Sequence, residues 1–168
     1  MKRLVFIAVI ICAGITIQAQ DFSYLKEIDI TNTSQYDEAE EAAMECCCYL
    51  VGVRYDKKDA QRDLATTYVS KWLNARYEQE YSLENTFTDD LDIADMYMVY
   101  FAMNYIDNKD EAQLSAMQAE ALIGVVNYCS NTSNKLKMSK ELKEIKKLID
   151  DGTLEQSISN SALITSID

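Results

Sequence analysis

The sequence predicts an all-α fold: a compact bundle of about five helices around one central apolar helix, with one short extended loop segment. Two observations lead there. The 168 residues contain no proline and four glycines, the residues that punctuate sheets and tight turns. The stretch Ile93–Ile106, IADMYMVYFAMNYI, carries Asp95 as its one charge and Asn104 as its one amide. Wound as a helix it is apolar on nearly every side, so neighbours must cover it on several faces. It is too short and too rich in tyrosine to cross a bilayer. A chain of this length has room for one domain with a real core.

Residues 1–19 read as a cleaved signal peptide. Lys2 and Arg3 form a positive start, Leu4–Ile17 is an apolar run, and Ile17-Gln18-Ala19 ends on a small residue. Cleavage after Ala19 leaves Gln20 first and places the protein in the periplasm or outside the cell, with no transmembrane segment in the mature chain. Acylation at Cys12 is disfavoured by the bulky Ile11 before it and by the apolar run continuing beyond it. Residues 20–158 form the single helical domain, and residues 159–168 a flexible C-terminal tail.

Taken in order, Asp21–Thr33 predicts an extended lead-in whose apolar residues lie on the bundle. The first helix is expected from Ser34 as N-cap, with Asp37, Glu38, Glu40 and Glu41 in turns where the helix dipole favours negative charge. At 100° per residue Ala43, Met44, Cys47, Leu50 and Val51 share its core side, and Cys46 and Cys48 flank it. A second helix fits Lys58–Tyr77, with Leu64, Tyr68 and Trp72, and beside them Ala65, Val69 and Leu73, as a broad apolar face. Glu78–Asp90 loses the helical period and predicts the short extended segment. Thr88 or Asp89 then caps the central helix. Asp110 caps a fourth helix, Glu111–Cys129, with Leu114, Ala121, Leu122, Val125, Val126 and Cys129 inward. Ser139 caps a fifth that ends before Gly152, with Leu142, Ile145 and Ile149 inward and Lys140, Lys143 and Lys147 outward. Leu154–Ile158 adds at most a turn. Asn32-Thr33-Ser34 and Asn131-Thr132-Ser133 match the glycosylation acceptor pattern, but in a bacterial exported protein they read as polar turns.

The signal peptide, the first helix around CCCYL (Cys46–Leu50), the segment SKWLNARYEQEYSL (Ser70–Leu83) and the ending Asn127–Gln156 together resemble a family of small exported all-helical bacterial proteins, a domain of unknown function. The likeness spans most of the mature chain and implies export and a helical fold. That family brings no reaction, so it assigns no functional residue.

Composition excludes much chemistry. The absence of histidine removes Ser–His and Cys–His nucleophile pairs, histidine metal sites and the usual base near neutral pH. Loss of Lys2 and Arg3 takes the formal net charge from −12 to −14, the wrong sign for a nucleic-acid partner. No phosphate-cradling glycine loop is present, and no cofactor is expected. Cys46, Cys47 and Cys48 point about 100° apart on a helix and cannot converge on one metal, so no metal site is expected. A Cys47–Cys129 disulfide in an oxidising compartment would tie the first helix to the fourth, worth about 4 kcal/mol for a loop of about 80 residues. Small buried thiols in a reduced core are the equal alternative. Paired carboxylates such as Glu38 with Glu41, or Asp89 with Asp92, are explained by helix starts and solubility. Lys140, Lys143 and Lys147 form either a stripe facing an acidic partner or a solvated face. Tyr97, Tyr100 and Tyr105 read as packed core more readily than as a ligand groove. The functional expectation is therefore a non-enzymatic exported protein that binds an unidentified protein or small ligand, or serves structurally. The alternative is a redox or copper-handling periplasmic protein using Cys46–Cys48 and Cys129.

Overall fold

The computed structural model describes residues 20–77, 90–108 and 114–165, with side chains described through residue 160. Among them are six α-helices and no strand: α1 (Tyr36–Gly52), α2 (Ala60–Arg76), α3 (Leu91–Asn108), α4 (Leu114–Ser130), α5 (Lys140–Asp150) and α6 (Leu154–Thr165). The all-α bundle is as expected, with six helices in place of about five. The difference is α6, which continues past Ile158 to Thr165. No glycine or proline interrupts that stretch, and Leu154 and Ile158, one turn apart, are both buried. The extended segment expected over Glu78–Asp90, the caps expected at Thr88, Asp89 and Asp110, and residues 1–19 lie outside the described residues, apart from Asp90 itself.

The central helix is α3. It packs against α1, α2 and α4 and buries Ile93, Met96, Tyr97, Met98, Val99, Phe101 and Ala102, which span most of its circumference. Its N-terminus is held by Asp90, whose Oδ1 accepts the Ile93 amide at 3.3 Å. Its contact with α4 is close because Gly124 has no side chain: a β-carbon there would stand 2.6 Å from Tyr100 Cγ. The buried Gln118 of α4 lies beside the Tyr97 hydroxyl across the same interface.

Three local expectations are corrected. The lead-in is not extended: Ser23–Glu27 forms a 3-10 turn, with Phe22 and Leu25 buried against the bundle. Ser34 does not cap α1. Asn32 does the local capping, accepting the Ser34 amide at 3.0 Å and its hydroxyl at 2.8 Å, and a 3-10 turn leads into α1. Asn131 repeats that geometry on Ser133 at 3.1 and 2.8 Å, so both Asn-Thr-Ser runs build the same polar turn. The α1 core face is also turned from the one expected. Ala39, Ala42, Ala43, Cys46, Cys47 and Leu50 are buried, whereas Met44 and Val51 are half-buried. These small residues admit α2 closely, and Tyr68 donates its hydroxyl to Ala39 O at 3.3 Å.

On α5, Ser139 is the N-cap as expected, its Oγ accepting the Leu142 amide at 3.2 Å. The helix closes with Gly152 at φ 68°. The Thr153 amide reaches back to Leu148 O at 2.9 Å and the Gly152 amide to Ile149 O at 3.1 Å, the paired bonds of a Schellman ending.

Candidate functional site

The second helix departs most from its expected pattern. Asp59 caps it, accepting the Gln61 amide at 3.0 Å. Tyr68, Trp72, Ala65, Val69 and Leu73 are buried as expected, but Leu64 is 44% exposed and Arg62 only 6%. Arg62 takes the inward place because α1 ends opposite it. Its Nη1 donates to Leu50 O at 3.3 Å, among the last carbonyls of α1, where the helix dipole favours a cation. Its Nη2 lies 2.9 Å from Met96 Sδ, and its guanidinium stands 4.7 Å from the centre of the Tyr55 ring. Tyr128 supplies a further hydrogen-bonding partner and itself donates to Val53 O at 3.0 Å. Among the described residues no carboxylate forms an ion pair with this buried cation.

Arg62 sits at one end of a cleft of about 720 Å³ between α2 and α3. One wall is a stripe along α2, Asp63, Thr66, Thr67, Ser70 and Lys71, at the three- and four-residue spacings that keep side chains on one helix face. The other wall is Asp92, Asp95, Met96 and Val99 of α3, and Tyr55 and Lys57 close the mouth. Arg62 meets Met96 early in α3, and Tyr105, late in α3, donates to Arg76 O at 3.2 Å. The two helices therefore run in the same general direction.

The charges in the cleft are unevenly satisfied. Asp92 is ion-paired with Lys57 and accepts a hydrogen bond from Tyr55. Burial works to raise its carboxyl, but the Lys57 and Tyr55 hydrogen bonds outweigh it and hold the pKa below the ordinary value. Asp95, one turn on, has no such partner. Burial first, then the Asp92 and Asp63 charges, push its carboxyl up, only partly countered by Arg62. Among the described residues neither Asp63 nor Lys71 has an ion-pair partner, and the hydroxyls of Thr66, Thr67 and Ser70 have no hydrogen-bond partner.

The thiols lie elsewhere. Cys46 and Cys47 are buried in α1 and Cys129 in α4, and no disulfide joins them to one another or to Cys48. α1 and α4 both pack on α3, and Cys46 neighbours Tyr24 and Tyr68, whereas Cys129 neighbours Tyr100 and Tyr128. Burial pushes Cys46 up to about 12 and Cys129 to about 11, and Cys47 well above its usual value. Neutral thiols are poor nucleophiles and poor metal ligands. Among the described residues no group of three or more Cys, Asp or Glu is placed to hold a metal ion.

Lys140, Lys143 and Lys147 are exposed on α5, which packs on α4 and α6, and Lys140 lies 4.0 Å from Glu144. The tyrosines behave as core: Tyr97 is 3% exposed, and Tyr77 packs edge-on against Phe101 and Tyr105 at 5.2 and 5.1 Å between ring centres. Among the described residues no helix is long and apolar enough to cross a membrane.

Sequence reasoning missed the cleft. The polar stripe on α2 was visible as spacing, and Arg62 shares the i, i+3, i+7, i+11 face of Ala65, Val69 and Leu73, a signal masked by its charge. Its burial depends on where α1 ends. Comparison with protein-family models, curated proteins and solved structures gives no match for this chain.

Proposed function

We propose that the mature chain is an exported, non-enzymatic binding protein of the periplasm or extracellular space, and that the α2–α3 cleft is its ligand site. The observation that carries this reading is the cleft itself: an open groove lined by charges of both signs and by hydroxyls without partners among the described residues. Asp63, Thr67, Lys71 and Asp95 are exposed along this concavity, so their polar groups are open to a polar ligand. The resemblance to small exported helical bacterial proteins accords with export. The thiol- and metal-handling alternative is opposed by the raised thiol pKa values.

Two measurements test the proposal. Intact mass of the secreted protein should begin at Gln20 with no added lipid. A panel of amino acids, short peptides, sugars and organic acids, screened by thermal shift, should contain a ligand that stabilises the wild type but not Ser70→Trp, which fills the groove from α2. A panel that leaves the wild type unmoved, or that shifts both proteins equally, overturns the assignment of the site.

A further inference from the structure

The distribution of unpaired charge along the cleft identifies a ligand class. Asp63 and Lys71 lie on one stripe of α2, eight residues apart, or about 12 Å at the helical rise. Asp95 from the facing helix feels Asp63 and Asp92 as well as Arg62. This end of the groove therefore sets three aspartates against Arg62 and the Asp92-paired Lys57, leaving Asp63 and Asp95 as its carboxylates without an ion pair among the described residues. Lys71 stands at the other end, exposed, with no ion-pair partner among the described residues. Between the ends, Thr66, Thr67 and Ser70 offer hydroxyls across from the apolar Met96 and Val99.

We propose that the cleft binds a short linear peptide with free termini, its ammonium at Asp63 and Asp95 and its carboxylate at Lys71. This rests on the cleft being the ligand site. An extended chain advances about 3.3–3.6 Å per residue, so the span fits three to four residues. The hydroxyls meet the peptide main chain, and Met96 and Val99 take up side-chain surface. A lone anion would find only Lys71 free, since Lys57 is paired with Asp92 and Arg62 is engaged by Leu50 O and the Tyr55 ring, and a lone cation would leave Lys71 unanswered. A neutral oligosaccharide would use the hydroxyls and neither charged end. Main-chain recognition with only two apolar wall residues predicts tolerance of side-chain identity. Lys57 is already committed to Asp92, and its pairing keeps the mouth from competing with Lys71 for the carboxylate.

The test titrates the mature protein with trialanine, N-acetyl-trialanine, trialanine amide and maltotriose, by calorimetry and by amide NMR. Trialanine should bind and shift the amides of Thr66, Ser70 and Met96, and each blocked peptide should bind at least tenfold more weakly. Lys71 is exposed, and Asp95 reaches solvent at the cleft although the groove walls partly desolvate its carboxyl, so neither substitution disturbs the core. Asp95→Asn should abolish the preference for a free amino end, and Lys71→Met the preference for a free carboxyl end. Blocked peptides that bind as tightly as trialanine, or maltotriose shifting the same amides in preference to it, sink the peptide assignment and leave the cleft as a ligand site. Failure of all four probes to move any cleft amide overturns the peptide assignment as well, and the thermal-shift panel then decides separately whether the cleft binds anything.

Discussion

Gly124→Ala isolates the α3–α4 contact on which the central helix depends. In an open helix the change gains about 1 kcal/mol, because alanine loses less backbone freedom than glycine. Here the added methyl would stand 2.6 Å from Tyr100 Cγ and 2.7 Å from Cε1, where carbon atoms rest at about 3.5–4.0 Å. The obstruction includes the root of the ring, so rotation at its far end gives no escape. The helices must separate by about 1 Å or Tyr100 must leave its rotamer, and overpacking of this kind costs about 1–3 kcal/mol or somewhat more. The net expectation is a loss of up to about 2 kcal/mol, or a Tm lower by up to about 8 °C for a domain of this size. The Tyr100→Ala background reverses the sign: with the ring gone, Gly124→Ala should recover the propensity gain and stabilise by up to about 1 kcal/mol. Urea unfolding of the four proteins measures this cycle. Equal effects of Gly124→Ala in both backgrounds, or stabilisation in the presence of Tyr100, would refute the close-packing argument.

Three further outcomes follow from the same structure. Gly152→Ala forces a side chain into φ 68° at the end of α5 and should cost about 1 kcal/mol in chemical denaturation. Stability should fall in alkali: the unfolded thiols ionise near pH 9, while Cys46 and Cys129 hold their protons to about 12 and 11 in the fold. Between those values the unfolded state binds fewer protons, and each thiol removes up to about 1.4 kcal/mol per pH unit. Cys46→Ala should flatten that slope in unfolding curves from pH 8 to 11, and an unchanged slope would count against burial as its cause. Asp95→Asn should raise Tm at neutral pH, because the Asp95 carboxyl is held above its ordinary pKa and its charged form opposes folding. The advantage should vanish below the unfolded carboxyl pKa, where Asp95 is protonated in both states, and a Tm gain that persists at pH 3 would contradict it.

The helical architecture was legible because it follows from local pattern. Ile93–Ile106 had to be surrounded, and three helices do surround it. Ser139 was readable as a cap because a hydroxyl ahead of an amphipathic run has few other uses. Errors fell where small or charged side chains mask the buried face. The α1 face runs through Ala39, Ala42, Ala43, Cys46 and Leu50 at i, i+3, i+4, i+7 and i+11, a helical spacing carried by small residues that weak hydrophobicity hides, and Tyr68 reaches Ala39 O across it. Leu64 was assigned to the core by periodicity, but it is 44% exposed and Arg62 is inside. Lys140, Lys143 and Lys147 were found as a stripe, yet the unpaired charges that matter for the cleft are single residues on two separate helices.

Arg62 links the fold to the proposed site. Removing it would leave the Leu50 carbonyl without its guanidinium donor at the end of α1, and would withdraw the cation stacked near Tyr55 and bonded toward Met96 and Tyr128. Those four contacts bring together α1, α2, α3, α4 and the chain after α1. The same guanidinium counters the aspartates at the acidic end of the cleft, favouring the charged forms of Asp92 and Asp95. A buried ion pair would have satisfied Arg62 more fully, but a carboxylate drawn inward for that purpose would not be available at the groove. The arrangement keeps the cation inside on carbonyl, sulfur and ring contacts and leaves Asp95 facing the cleft. Burial and the Asp92 and Asp63 charges raise the Asp95 pKa, so the charged form of Asp95 opposes folding.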